Sequence, residues 1–244
     1  MKNQNIHIGT SGWHYGHWAG NFYSSDLPKE NYLDFYCQHF RTVEINNSFY
    51  QLPEVDTLEA WREQVPDDFT FSVKASRYIT HMKKLKDPQE PVSVFMERIA
   101  ALRDHLGPVL FQLPPHWRSN PERLGEFMDV LSEGFRYTFE FRDESWFDER
   151  IIAILRNYRA AFCIYHLDGQ LSPKEVTADF VYIRLHGQEG AYQWNYSIEE
   201  LAGWAGAISS WSRQGKQVFC YFDNDERGFA PQNAAQLRNM LQDG

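Results

Sequence analysis

Cysteine is scarce in this 244-residue chain, and its three residues, Cys37, Cys163 and Cys220, stand far apart with no CxxC. Such spacing supports neither a disulfide framework nor a zinc knuckle and suits buried thiols in a reducing compartment. No stretch approaches the roughly 18 uninterrupted apolar residues of a membrane span, and the mean hydropathy is −0.57. The opening residues, Met-Lys-Asn-Gln-Asn-Ile, lack the apolar segment of a secretory signal. A cytoplasmic protein with no membrane partner is therefore expected. Basic residues are outnumbered 33 to 24, for a net charge of −9, which disfavours nucleic-acid binding through the whole surface. A nucleotide or nucleic-acid end in a local basic pocket stays open. Also missing are a Walker loop, G-x-S-x-G and H-E-x-x-H. Without linkers or low-complexity tracts, residues 1–244 read as a single domain.

What the chain does have is a large apolar fraction, 43%, with 16% aromatic residues, enough for one sizeable core. Strand-like and helix-like runs alternate from end to end. Strands are predicted over 6–10, 42–46, 70–74, 109–113, 138–142, 161–165, 181–186 and 218–223, with helices after most of them. Pro28, Pro91, Pro121 and Pro231 sit where first helical turns should begin, and Ser197-Ile-Glu-Glu200 reads as a capping box. The sixth unit differs. His166-Leu-Asp-Gly-Gln-Leu-Ser-Pro173 has no helical period, so a loop should replace the helix there.

The strands carry a second signal. In Thr42-Val-Glu-Ile-Asn46, Thr138-Phe-Glu-Phe-Arg142 and Val181-Tyr-Ile-Arg-Leu-His186, one parity is apolar and the other is polar towards the C-terminal end. Side chains alternate across a strand. An open doubly wound sheet covers both faces with helices and favours strands that are apolar throughout. Here the polar parity fits a barrel lumen, and no G-x-G-x-x-G follows the first strand. The expected fold is α/β, a single TIM-type (β/α)8-like barrel of parallel strands whose sixth βα unit lacks a regular helix.

Several separated motifs then match a known family in order. They are Gly9-Thr-Ser-Gly-Trp13, Glu44-Ile-Asn-Asn-Ser-Phe-Tyr50, Phe71-Ser-Val-Lys74, Thr80-His81 and Gln112-Leu-Pro-Pro115. Glu140-Phe-Arg142 with Trp146, Arg184-Leu-His-Gly187 and Tyr221-Phe-Asp-Asn224 complete the set. Over nearly its whole length the chain resembles the YecE-like family, domain of unknown function 72. Asp223 departs from the pattern, where Asn would be expected. The resemblance implies a TIM-barrel-like fold and a candidate pocket. It implies no reaction, because the family has no established activity.

Sites in such barrels lie at the C-terminal strand ends. Parity directs Glu44, Asn46, Lys74, Gln112, Glu140, Arg142, Arg184, His186 and Asp223 towards that mouth. Burying so many ions is costly unless they serve something besides stability. Glu44, Glu140, Asp223 and His186 are the candidate catalytic groups: a glutamate as acid or base, with Asp223 or His186 orienting. Each glutamate could instead simply pair with Lys74 or an arginine. Lys74, Arg142 and Arg184 suggest an anionic ligand, phosphorylated or sugar-containing, because guanidinium forks suit phosphate and carboxylate. Asn46, Gln112, Trp13, Tyr50, His81, Trp146, Tyr221 and Asn224 complete the expected ligand-binding set. Further loop aromatics, including Trp117, Tyr192 and Trp194, could stack on sugars or bases. Cys163 shares the inward parity but reads as inert packing. The sequence names no cofactor. A tight metal site is disfavoured because three cations would oppose the ion. The expectation is a protein that binds, and as a hydrolase would cleave, a small anionic ligand. Its alternatives are a non-catalytic ligand or nucleotide binder and a metal-dependent phosphoesterase or isomerase.

Overall fold

A computed structural model describes residues 5–187 and 195–242. Its strands are β1 (Ile6–Thr10), β2 (Thr42–Ile45), β3 (Thr70–Lys74), β4 (Leu106–Gln112), β5 (Tyr137–Glu140), β6 (Ala161–Leu167), β7 (Gln170–Leu171), β8 (Phe180–Gly187) and β9 (Gln217–Phe222). The helices are α1 (Tyr32–His39), α2 (Val55–Gln64), α3 (Gln89–Ile99), α4 (Pro121–Met128), α5 (Glu149–Asn157), α6 (Ile198–Arg213) and α7 (Phe229–Gln242). Each of the eight predicted strands is present. β4 starts earlier than expected, at Leu106, and β5 stops earlier, at Glu140.

Local chemistry sets the helix starts. Pro121 occupies the first turn of α4, where its missing N–H costs nothing, while Asn120 Oδ1 accepts from Arg123 N at 2.8 Å. Ser197 and Glu200 form the predicted reciprocal capping box on α6. No helix follows β6. The chain instead reverses through Asp168 and Gly169, both at positive φ, into the antiparallel β7. It then runs back along β6, where Thr177 Oγ1 accepts from Phe162 N (2.8 Å) and donates to Ala160 O (2.6 Å). The irregular sixth unit is thereby tied down strand-fashion.

The strands run in the order β1-β9-β8-β6-β5-β4-β3-β2, all parallel apart from the β6–β7 hairpin. The circle nearly closes between β1 and β2, where Ser11 bridges to Glu44 and Gly12 N donates to Glu44 O at 2.8 Å. Below that point a side chain replaces the missing ladder. The buried Tyr36 hydroxyl of α1 accepts from Thr10 N (3.0 Å) and donates to Thr42 O (3.1 Å). The approach is so close that a Cβ at Gly9 would lie 2.2 Å from Thr42 O. Only glycine fits there.

Two apolar layers result from the alternation. Val43, Ile45, Phe71, Val73, Phe139 and Ile183 point outward under the helices. The stacked Phe111 and Phe139 rings (5.3 Å), with Phe127 of α4 edge-on to both, show how tightly that layer packs. Truncating a buried ring of this kind to alanine costs about 3–5 kcal/mol. A smaller inner cluster, including Leu110, Ala161, Cys163, Tyr182, Phe219 and Tyr221, fills the barrel axis. His7 stacks on Phe219 at 4.5 Å at the N-terminal end. Among the described residues no helix is long and apolar enough to cross a membrane.

Candidate functional site

Above the inner cluster, the polar parity of β2, β5, β8 and the end of β9 converges on one guanidinium. Arg184 is fully buried, and every N–H it carries has a protein acceptor. Its Nε donates to Glu44 Oε2 (3.0 Å), Nη1 to Glu140 Oε2 (2.9 Å), and Nη2 to Glu44 Oε1 (2.8 Å), Asp223 Oδ2 (2.9 Å) and Ser11 Oγ (3.1 Å). Ser11 Oγ in turn donates to Glu44 Oε1, and the Tyr182 hydroxyl donates to Glu44 Oε2 at 2.7 Å. Arg142 Nε caps the remaining oxygen of Glu140. Burial alone would raise the Glu140 carboxyl, but Arg142 and Arg184 outweigh it and hold the group below its ordinary range.

His186 is read by the same network. Its Nε2 lies 3.2 Å from Arg142 Nη2 and 3.3 Å from Arg184 Nη1, two groups that can only donate. Nε2 must therefore carry the lone pair. The ring proton then sits on Nδ1, 3.0 Å from Asp223 Oδ2. Burial, reinforced by the two arginines, keeps this imidazole neutral by lowering its affinity for a second proton well below the usual value. Burial raises the Asp223 carboxyl, with Arg184 opposing.

The rim is different. Lys74, at the end of β3 and 8% exposed, lays its ammonium 4.4 Å from the centre of the Phe49 ring. Among the described residues no carboxylate lies within 4 Å of it, because all three nearby acids are committed to arginines or His186. Burial, then the charge of Arg184, brings its amine down to about 8. Arg142, whose side chain is 10% exposed, lies over the Tyr165 ring at 5.0 Å. His81 meets Phe49 edge-on at 4.9 Å, and burial together with Lys74 holds it neutral, at about 4. Asn46 Oδ1 and the Tyr165 hydroxyl are buried without a hydrogen-bond partner among the described residues. Among the described residues no group of three His, Cys, Asp or Glu side chains is placed to hold a metal ion.

The structure thus brings Glu44, Glu140, Asp223, His186, Lys74, Arg142 and Arg184 to one end of the barrel. His81 joins them at the rim through Phe49, whereas six other expected contacts scatter. Trp13 is buried edge-on against Trp61 (4.9 Å), and Trp146 stacks on Phe141 (4.9 Å) while donating to Trp117 O, so both belong to the outer core. The Tyr221 hydroxyl sits a layer too deep, between Thr42 Oγ1 (2.6 Å) and Ser72 Oγ (2.7 Å). Asn224 is buried, with Nδ2 on Asn233 Oδ1 (2.9 Å). Gln112 Nε2 turns back to Leu113 O (2.9 Å), and Tyr50 is 73% exposed at the surface. Tyr192 and Trp194 lie outside the described residues. Cys163 is buried, with Sγ 3.8 Å from Glu140 Oε2 and its thiol pushed up by burial. Sequence reasoning missed Tyr182 and Ser11. Tyr182 shares the parity of Arg184 and was readable; Ser11 needs the β1–β2 closure, which leaves no local sign.

Relatives place the chain. The sequence profile of the family described as "Protein of unknown function DUF72" matches residues 7–244. Among curated proteins, "UPF0759 protein YecE" of Escherichia coli (strain K12) is 33% identical over 144 residues, 58% of this chain and 50% of that protein. The chain spans about half the length of that relative. "UPF0759 protein YunF" of Bacillus subtilis (strain 168) is 25% identical over 97% of this chain and 94% of its own length. The crystal structure of a DUF72 family protein from Thermotoga maritima MSB8 superposes with a TM-score of 0.88 at 30% identity, covering 97% of this chain and 99% of that one. A second, from Enterococcus faecalis V583, gives 0.79 at 21% identity over 97% of each chain and supports the fold alone. With a match across nearly every residue and a shared barrel, the chain belongs to the DUF72 family.

Proposed function

We propose that this protein binds a small anionic ligand, phosphorylated or sugar-containing, at the C-terminal mouth of the barrel, with Lys74 and Arg142 as its anion contacts. One observation carries the reading: Lys74 is a buried ammonium with no carboxylate within 4 Å among the described residues. Desolvating a cation without a counter-ion is expensive, and a bound anion would supply the missing partner. Arg142, paired to Glu140, keeps a partly exposed side chain at the same end of the barrel. Arg184 has no donor to spare, so its role here is to lock Glu44, Glu140 and Asp223 in place and leave Lys74 uncompensated.

Hydrolysis with Glu44 and Glu140 as acid and base has weaker support. Both carboxylates grip one guanidinium, and Glu140 is held ionised far below the working pH, which suits an electrostatic partner and neither a general acid nor a general base. No cofactor is invoked. The test is calorimetric titration with inorganic phosphate and glucose 6-phosphate, using glucose as the uncharged control. Binding of the two phosphates that weakens at least tenfold in Lys74→Met and in Arg142→Met supports the site. Equal behaviour of glucose and its phosphate, or affinity untouched by both substitutions, refutes it.

A further inference from the structure

We propose that Lys74 is a carbonyl-condensing nucleophile, its amine forming an imine with a small aldehyde or ketone that also carries an anionic group. The proposal rests on the anion-site reading above and names the substrate class. Three features of the site carry it. First, the amine is enclosed and free of ion pairs among the described residues, so no salt bridge must break before it reacts. Second, its backbone is fixed. Lys74 pairs in register with Leu110, Ala75 N donates to Leu110 O (2.8 Å), and Lys74 O accepts from Ser48 Oγ (2.6 Å). Third, it has neighbours with the right chemistry. Arg142 can hold an anionic group at the rim, and His81, edge-on to the Phe49 ring that Lys74 covers, is a neutral imidazole able to relay a proton.

A lysine acts as a nucleophile when desolvation and a neighbouring cation keep a fraction of it neutral, and both influences act on Lys74. The amine lone pair forms the C–N bond while the carbonyl π pair moves to oxygen. The two nitrogen protons are passed to that oxygen, which departs as water and leaves a C=N bond. No redox partner is needed. At pH 7.5 the neutral fraction of an amine at about 8 exceeds that of an ordinary lysine by about two hundredfold. Restricted access will reduce that advantage at the mouth.

Reductive trapping tests this directly. The full chain is incubated at pH 7.5 with glyceraldehyde 3-phosphate and cyanoborohydride, and adducts are mapped by peptide mass spectrometry. The exposed Lys84 and Lys86 on the segment after β3 serve as internal references. Labelling of Lys74 at least tenfold faster than either reference, slowed by excess inorganic phosphate and slower with uncharged glyceraldehyde, supports the proposal. Lys74→Arg should keep phosphate binding and lose that adduct; Lys74→Met provides a second blocked variant should the arginine not fit. Labelling of Lys74 no faster than Lys84 or Lys86 overturns the imine. If phosphate still binds calorimetrically in that case, only the nucleophile fails; if it does not, the anion site fails as well.

Discussion

Lys74→Met replaces the buried ammonium by a thioether of similar length, and the environment of the amine sets both the size and the pH course of the effect. The ordinary lysine value is 10.5, and the folded protein holds Lys74 at about 8. Between those values the unfolded chain binds more protons than the native one, so wild-type stability rises with pH across that window. Folding with this amine protonated costs about 3 kcal/mol at pH 7 and less than about 1 kcal/mol at pH 10. The variant carries no such cost. Urea unfolding of both proteins at pH 7 and pH 10 should therefore show the variant's relative stability falling by about 2 kcal/mol over that range. At pH 7 the variant should be the more stable protein, a sign that the wild-type residue is retained for something other than folding. A difference independent of pH would refute the reasoning, because the ammonium would then be as comfortable folded as unfolded.

Three further outcomes follow from the same geometry. Arg184→Met should destabilise the fold by about 3–5 kcal/mol, since it strands three buried carboxylates; adding Glu44→Gln and Glu140→Gln should recover part of the loss in urea unfolding. Tyr36→Phe leaves Thr10 N and Thr42 O without their partner at the β1–β2 seam and should cost about 2–4 kcal/mol, with hydrogen exchange accelerated in β1. His7, at the other end of the barrel, is brought down to about 4 by burial and then Arg136, so wild-type stability is lost as pH falls from 6.5 towards 4. His7→Phe should remove about 2 kcal/mol of that acid sensitivity at pH 4, read as a flatter Tm-against-pH curve.

The strand alternation made much of this legible. Val43 and Ile45 flank Glu44, and Phe139 and Phe141 flank Glu140, so period two alone assigned the outer core and the inward charges. It assigned side but not depth. Tyr221 shares the inward parity and yet lies a layer below the ions, on Thr42 and Ser72. Beyond the last ladder residue parity stops applying, which is why Trp13 and Trp146, expected at the mouth, turned into the helix-facing core. Nor could sequence choose among partners. Three cations and three acids admit many pairings, and only in the folded barrel does Arg184 take all three carboxylates and leave Lys74 with none within 4 Å among the described residues. Closure at Gly9, Ser11 and Tyr36 joins segments brought together by the whole barrel, so no local pattern announced it.

The most direct test is a carbon-detected NMR titration of the Lys74 side chain, selectively labelled at Cε, with and without inorganic phosphate. The free protein should titrate with a midpoint near 8, and phosphate should move that midpoint upward by stabilising the charged form. A midpoint near 10.5 that phosphate leaves unmoved would contradict the account, because the amine would then already have a partner and would need no guest.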